Sequence, residues 1–416
     1  MKKSRVNRCI ISMVCIFFLI NICLGCGRKE KSSESNVKIN VYVGVKDKTS
    51  LDIVKFLLEE YTKKKSNVEV SYNNTLGDID VEKDIVDSKI DLLFISRNEM
   101  IELCKKGLLL PMEDFFAKNK VDESYYNIVK DYGRIGDNYY GLGLIPFSLE
   151  FMYNKSAINK LNVEEPIDAK QLVPVIMKNK QTNTKIPVFL NDNISITEAL
   201  SSIVFSNSLQ MSLLEDSYGD NIKKYKAVDM QKGFQLLDKL AKSIRVPIDI
   251  FEKAEDMHVQ KLISGDAPIV IATSAVLPKI SGEYTDIKVV KNYNITDKKS
   301  NVPVIVNCIT SIPANSKKQN EVSDILEFLY GEDMQKKLAE KKYVTGNKKV
   351  NDELLTTSMM NTVKAHLETA NENSILYIYD VPEKLRMSIS SSVENILKGS
   401  YSGKEWSQIL EKVYNK

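Results

Sequence analysis

Hydrophobic and polar positions alternate with a period of two in "VKINVYVGV". Val37, Ile39, Val41, Val43 and Val45 share one side against polar or small residues, which predicts a strand. The next stretch, "TSLDIVKFLLEEYTKKK", changes period: Leu51, Val54, Leu57, Leu58 and Tyr61 form a helical stripe. "VEVSY" then reads as a strand, "VEKDIVDSK" as a helix, "DLLFIS" as a buried strand and "NEMIELCKKG" as a further helix. Strand and helix in alternation predict parallel βαβ units. In such sheets ligands bind beyond the carboxyl ends of the strands, which singles out Lys46 after the first strand and Ser96 and Arg97 after the third.

"NYYGLGLIPFSLEFMYNK" is rich in aromatic residues and glycine and contains Pro146, so it predicts a segment crossing between lobes rather than a regular helix. A second α/β set follows. "TKIPVFL" is its strand, "ITEALSSIVFSN" and "MQKGFQLLDKLAKSI" are helices, and "APIVIATSAVLPKI" is an apolar strand running into a helix. At that last junction Thr273 and Ser274 would present free backbone N–H groups to a ligand oxygen. "NVPVIVNCITSIPANS" alternates Val302, Val304 and Val306, and "EVSDILEFLYGEDMQKKLAEKK" reads as one long amphipathic helix. In "YSGKEWSQILEKVYNK", Ser402 and Glu405 have capping-box spacing, and Trp406, Ile409, Leu410 and Val413 share a face. The single tryptophan is therefore expected in the core.

The amino terminus differs in kind. Lys2, Lys3, Arg5 and Arg8 precede an apolar run from Ile10 to Leu24, the pattern of a secretory signal. The run is short of the roughly 20 residues of a permanent membrane span. Leu24-Gly25-Cys26 resembles a bacterial lipobox, so residues 1–25 are expected to be cleaved and Cys26 lipidated, with 26–36 a polar tether. The leader holds four of the 58 basic residues and none of the 55 acidic ones, leaving 54 bases against 55 acids. A near-neutral chain argues against nucleic acid as a partner. Of six cysteines only Cys104 and Cys308 remain, and two free buried thiols are preferred over a bridge. The length of the mature chain favours two lobes over a single core.

The order of segments resembles the extracellular solute-binding proteins of bacterial ABC importers, in particular the family 1 group that mostly carries carbohydrates. The likeness covers nearly the whole chain. It rests on the lipobox, "DLLFISRNEMIELCKKGLLLPMEDF", Tyr140-Gly141-Leu142 with Tyr153-Asn154-Lys155, "GDAPIVIATSAV", and the Gly-Lys step into the final helix. It implies an α/β, two-lobe periplasmic-binding-protein-like fold, each lobe a mostly parallel sheet flanked by helices, joined by crossing hinge segments. Lobe one would hold 37–146 and 301–349, and lobe two 147–300 and 350–416. Carried over by position, the cleft would be lined by Lys46, Ser96, Arg97, Ser148, Asn191, Thr273, Ser274 and Asn307, with Tyr140 or Phe147 covering an apolar sugar face. The implied role is capture of a solute, a sugar or oligosaccharide, by a monomeric lipoprotein on the extracellular face of the membrane, for delivery to an ABC permease.

Departures bear on the solute more than on the fold. Ala272-Thr273-Ser274-Ala275 stands where many sugar binders place a Gly-Gly-Ser-Trp-like stretch, Gly143 replaces a proline, and Phe147 stands where a polar residue is usual. Binding of a non-sugar solute, or sensing without transport, is the alternative. An enzyme is the rival class, yet no Gly-x-Ser-x-Gly elbow, P-loop or His-Glu-x-x-His is present. His258 and His366 read as partly exposed helix residues. The acidic run Asp78, Asp80, Glu82, Asp84 and Asp87 lacks the glycine and terminal glutamate of a calcium loop and reads as a solvated helix face. No cofactor and no metal are expected.

Overall fold

The computed structural model describes residues 37–73, 80–190, 193–219, 222–244, 248–280, 286–294 and 301–414; Cys26, the tether, Asp78 and Asn191 lie outside the described residues. Strand β1 (Val37–Val43) buries Ile39, Val41 and Val43 and turns the alternate residues outward, as its period of two dictates. The chain leaves it at Gly44 and enters helix α1 (Lys48–Lys64), whose first turn is capped by Asp47 Oδ1 accepting from Ser50 N at 2.9 Å. A cap of this kind contributes about 1 kcal/mol. Strand β2 (Val68–Asn73), strand β3 (Leu92–Ile95) and helix α2 (Arg97–Lys105) complete the first βαβ set, with Ser96 capping α2.

Strand β1 pairs in parallel with both β2 and β3. The other strands of this sheet arrive from elsewhere: β4 (Leu142–Gly143) before the crossing, and the returning β11 (Ile309–Ser311), antiparallel to both β3 and β4. The second sheet is built on β5 (Phe147–Asn154), with β6 (Ile186–Phe189), β7 (Phe251–Lys253), β8 (Ile269–Thr273) and β9 (Ile287–Val289), in the order β9-β5-β8-β6-β7. Pairs β8/β6 and β6/β7 are parallel, while β5 runs antiparallel to β8 and β9. Both sheets are thus mixed rather than mostly parallel. The reason is the crossing: β5 and β11 each enter their sheet from the other lobe and so run against its native strands.

The crossing is double. Strand β10 (Val304–Ile305) lies antiparallel to β5, with Val304 opposite Ser148 and Ile305 opposite Phe147. Leu144 N donates to Cys308 O at 2.9 Å and Leu149 N to Pro303 O at 2.8 Å, so the outgoing and returning segments are hydrogen-bonded to each other. Gly143 belongs here for a steric reason. A Cβ at this position would lie 2.8 Å from Val306 Cγ1 and 2.9 Å from the Val129 carbonyl oxygen, a space that neither proline nor any other side chain fits.

Helices α3 (Ile196–Phe205), α4 (Met211–Ser217) and α5 (Met230–Ile244) follow β6, and α6 (Ser358–Thr369), α7 (Glu383–Leu397) and α8 (Glu405–Tyr414) close the chain. Ser402 donates to Glu405 from both backbone and hydroxyl, and Trp406 is buried, its indole donating to Tyr225 O at 3.0 Å. The long helix expected after residue 320 is instead two, Gln319–Tyr330 and Glu332–Glu340. Gly331 takes an extended ψ of 147°, which breaks the ladder between them.

Both histidines are buried, not partly exposed. His366 Nδ1 lies 2.9 Å from the fully buried Glu150 carboxylate and Nε2 lies 2.9 Å from Lys291 O, which fastens α6 to β5. His258 Nδ1 accepts from Glu255 N at 2.9 Å, and Nε2 faces Glu252. In the acidic run, Asp84 and Asp87 pair with Lys89, and Glu82 with Lys106, all on solvated surface. Cys104 is half-buried, Cys308 is buried, and both are free thiols.

A candidate ligand cleft between the sheets

The strand-to-helix turn after β1, the amino-terminal turns of α2, the return segment at Asn307 and the start of α7 converge on a cavity of about 770 Å³. Its floor at β1 depends on Gly44. A Cβ there would meet Glu99 Oε2 at 2.6 Å and the Tyr42 ring at 2.9 Å, so only glycine lets these two side chains fold across the strand end. Tyr42 donates its hydroxyl to Glu99. Burial pushes the Glu99 carboxyl up and Glu102 adds to this, while the Tyr42 hydroxyl and Lys46 pull the other way.

Asn307 forms the back of the cleft. It is 4 % exposed; its Oδ1 accepts from the Tyr379 hydroxyl at 2.6 Å, and its Nδ2 has no partner. An amide donor this buried and unpaired is costly unless something supplies an acceptor. On the second wall Arg386 is fixed by Glu198, Nε to Oε1 at 2.6 Å and Nη2 to Oε2 at 3.0 Å, and it also donates to the Asn193 carbonyl. Burial would push the Glu198 carboxyl up, but Arg386 and the Ser195 donors outweigh it and hold it below the usual carboxylate range.

Of the residues expected at the site, Lys46, Ser96 and Asn307 line this cleft. Arg97 lies elsewhere. It is fully buried, with Nε on Asp380 at 2.8 Å, Nη2 on Glu215, and Nη1 on the carbonyls of Asp131, Tyr132 and Arg134 at 3.0, 2.7 and 3.1 Å. Its donors are engaged inside the protein, so it cannot donate to a ligand in this arrangement. Phe147 and Ser148 are buried within the crossing pair, and Ser274 Oγ accepts from Ser148 N at 3.1 Å, which turns Ser274 towards the hinge. Thr273 is buried at the end of β8, and the stretch after it is a tight 3₁₀ turn rather than an open α-helix start. Tyr140 is half-buried and hydrogen-bonded to Cys104. Asn191 lies outside the described residues, but Asn193 reaches the cleft.

The residues missed by sequence reasoning are Tyr42, Asp47, Asn98, Glu99 and Glu102 on the first wall and Tyr218, Tyr379, Glu383 and Arg386 on the second. Glu99 and Glu102 follow Ser96 at intervals of three, a polar stripe on one face of α2 that could have flagged them.

The walls are also tied together. Glu215 on α4 receives Arg97 and the Gly136 N–H, the latter at 3.0 Å, and the Tyr218 hydroxyl donates to Glu102 at 3.3 Å. Lys105 donates to Tyr218 O and stacks over its ring at 4.7 Å. Among the described residues no group of His, Cys, Asp or Glu is arranged to hold a metal ion.

This geometry, two sheets with a polar cleft between them and a double crossing behind, coincides with a sequence match. The model of the family described as "Bacterial extracellular solute-binding protein" matches residues 57–366. The chain belongs to that family. Solved structures share its two-lobe fold at low identity. A chitin oligosaccharide binding protein superposes with a TM-score of 0.66 at 14% identity, covering 92% of this chain and 98% of that one. The sugar-binding protein MalE from Xanthomonas citri gives 0.66 at 12% identity, with 91% and 97% covered. A cyclo/maltodextrin-binding protein complexed with maltotetraose gives 0.63 at 17%, with 93% and 98% covered. No curated protein matches the chain by sequence. The protein is thus an extracellular solute-binding protein.

Proposed function

We propose that this solute-binding protein captures a saccharide between its lobes and delivers it to an ABC importer, without chemistry on the solute. The observation that carries this is Asn307, which lines the cleft with a buried, unpaired Nδ2, among carboxylates, amides, tyrosines, Ser96, Lys46 and Arg386. Such groups suit an array of hydroxyls, each of which can donate and accept. The sugar-binding roles of the structural neighbours support the reading.

We assign 37–146 and 301–349 to one lobe and 147–300 and 350–416 to the other, with Cys26 the lipidated amino terminus of a monomer held on the outer face of the membrane. Ligand contacts from both walls would favour the bridged state over an open one, so binding shifts an existing equilibrium. The test is a thermal-shift screen of residues 27–416 against mono- and oligosaccharides, with amino acids and peptides as controls. A ligand at a hundred times its Kd should add about 2.7 kcal/mol and raise the midpoint by several degrees. A shift by peptides or amino acids alone would refute the saccharide assignment while leaving solute capture in place.

A further inference from the structure

The charge of the cleft identifies the solute more closely, on the saccharide reading above. Among the described lining residues, Asp47, Glu99, Glu102 and Glu383 stand against two cations, Lys46 and Arg386. Arg386 is already neutralised by the two bonds to Glu198, a residue outside the lining, and lies 3.7 Å from Glu383 as well. The cavity is therefore negative overall. Glu99 and Glu102 share a face of α2, one turn apart, where a single positive group can lie between them. A neutral polyol can hydrogen-bond these carboxylates but leaves their mutual repulsion in place. A cation removes it, in a recess where low-dielectric walls weaken screening.

The second, independent observation is Asn307. Its side chain is buried at the cleft wall, its Oδ1 is taken by Tyr379, and its Nδ2 has no partner within the protein, so an acceptor oxygen brought by the ligand would satisfy it. A simple alkylamine has none. The solute must bring both a positive charge and oxygen acceptors.

We propose that the cleft selects an amino sugar with a free, protonated amine. The ammonium lies against Glu99 and Glu102, to which it offers three donors, and a hydroxyl or ring oxygen accepts from Asn307. N-acetylation removes the charge and is discriminated against.

The test is calorimetry on residues 27–416 at pH 6 and low salt with the β-1,4-linked disaccharide of glucosamine, its di-N-acetyl counterpart, cellobiose and cadaverine. The free-amine disaccharide is expected to bind at least tenfold tighter than the other three. That preference should shrink in 0.5 M NaCl and in Glu99→Gln, with Glu102→Gln as a second variant should the first melt early. Cellobiose or the diacetyl sugar binding as tightly as the amine would overturn the charge inference and leave the saccharide reading standing. Equal binding of cadaverine would overturn the sugar half of the inference. If none of the three sugars binds, the saccharide reading fails and the inference fails with it.

Discussion

Replacing Arg97 by methionine keeps most of the apolar stem and removes the guanidinium that joins α2 to Asp380 and Glu215. The cost can be worked from its partners. Asp380 is driven up to about 6 by burial, with Arg97 restraining it and Glu215 adding to the rise. Without Arg97 it would protonate, which limits its share at pH 7 to about 1 kcal/mol, since pH 7 lies about one unit above its native value. The carbonyls of Asp131, Tyr132 and Arg134 lose a buried donor, at about 1 kcal/mol each. The total is about 4 kcal/mol, in the range for breaking a buried pair from one side. For a chain of this size that lowers Tm by about 5 °C.

The sign with pH follows from the same group. A carboxyl raised in the folded state contributes stability that is full below about pH 4 and lost as pH rises through about 6. At pH 5 Asp380 is mostly protonated with or without Arg97, so the deficit of the variant should be smaller at pH 5 than at pH 7. Melting curves at both values measure it. An unchanged Tm at pH 7 together with ligand affinity weakened tenfold or more would refute this account and return Arg97 to the ligand.

Asn307→Ala should weaken ligand binding by about 1–3 kcal/mol in calorimetry, since it removes the unpaired donor and the Oδ1 that accepts from the Tyr379 hydroxyl; unaltered affinity would place the solute elsewhere. Gly44→Ala should displace Glu99 and Tyr42 and reduce affinity far more than Tm, and the reverse pattern would mean that the turn is only structural. For His366, burial lowers the ring pKa but the Glu150 carboxylate more than reverses this, so its contribution is full below about pH 6.5 and lost as pH rises through the elevated folded value. Glu150→Gln should cost about 3–5 kcal/mol at pH 6 in denaturant titrations and flatten the decline in stability above about pH 6.5; a variant that declines as steeply as the wild type would contradict the pairing.

The fold was largely legible because its signals are local. The period of two in β1, the stripe of α1 and the caps at Ser96 and Ser402 each follow from neighbouring residues. The break at Gly331 was not legible, since a single glycine inside an amphipathic pattern is compatible with a continuous helix. At the site, the strand-end rule found Lys46 and Ser96, and the position carried over from the family resemblance found Asn307. It failed at Arg97 because the first residue of a helix can point inward as readily as outward, and buried Asp380 lies 283 positions along the chain. Tyr379 and Arg386 arrive by the last return of the chain, and no spacing in the sequence relates them to Lys46.

The bonded crossing strands have one further consequence. Because Leu144 to Cys308 and Leu149 to Pro303 fix the two segments against each other, neither segment can slip lengthwise past the other in the hinge motion proposed above. Each closure must then bring the same side chains back into the same register, as the leaves of a pinned hinge meet along one edge. Selectivity in such a device is set by how far the leaves must travel to touch the solute, and a solute too short to be reached from both leaves is released before it can be passed on.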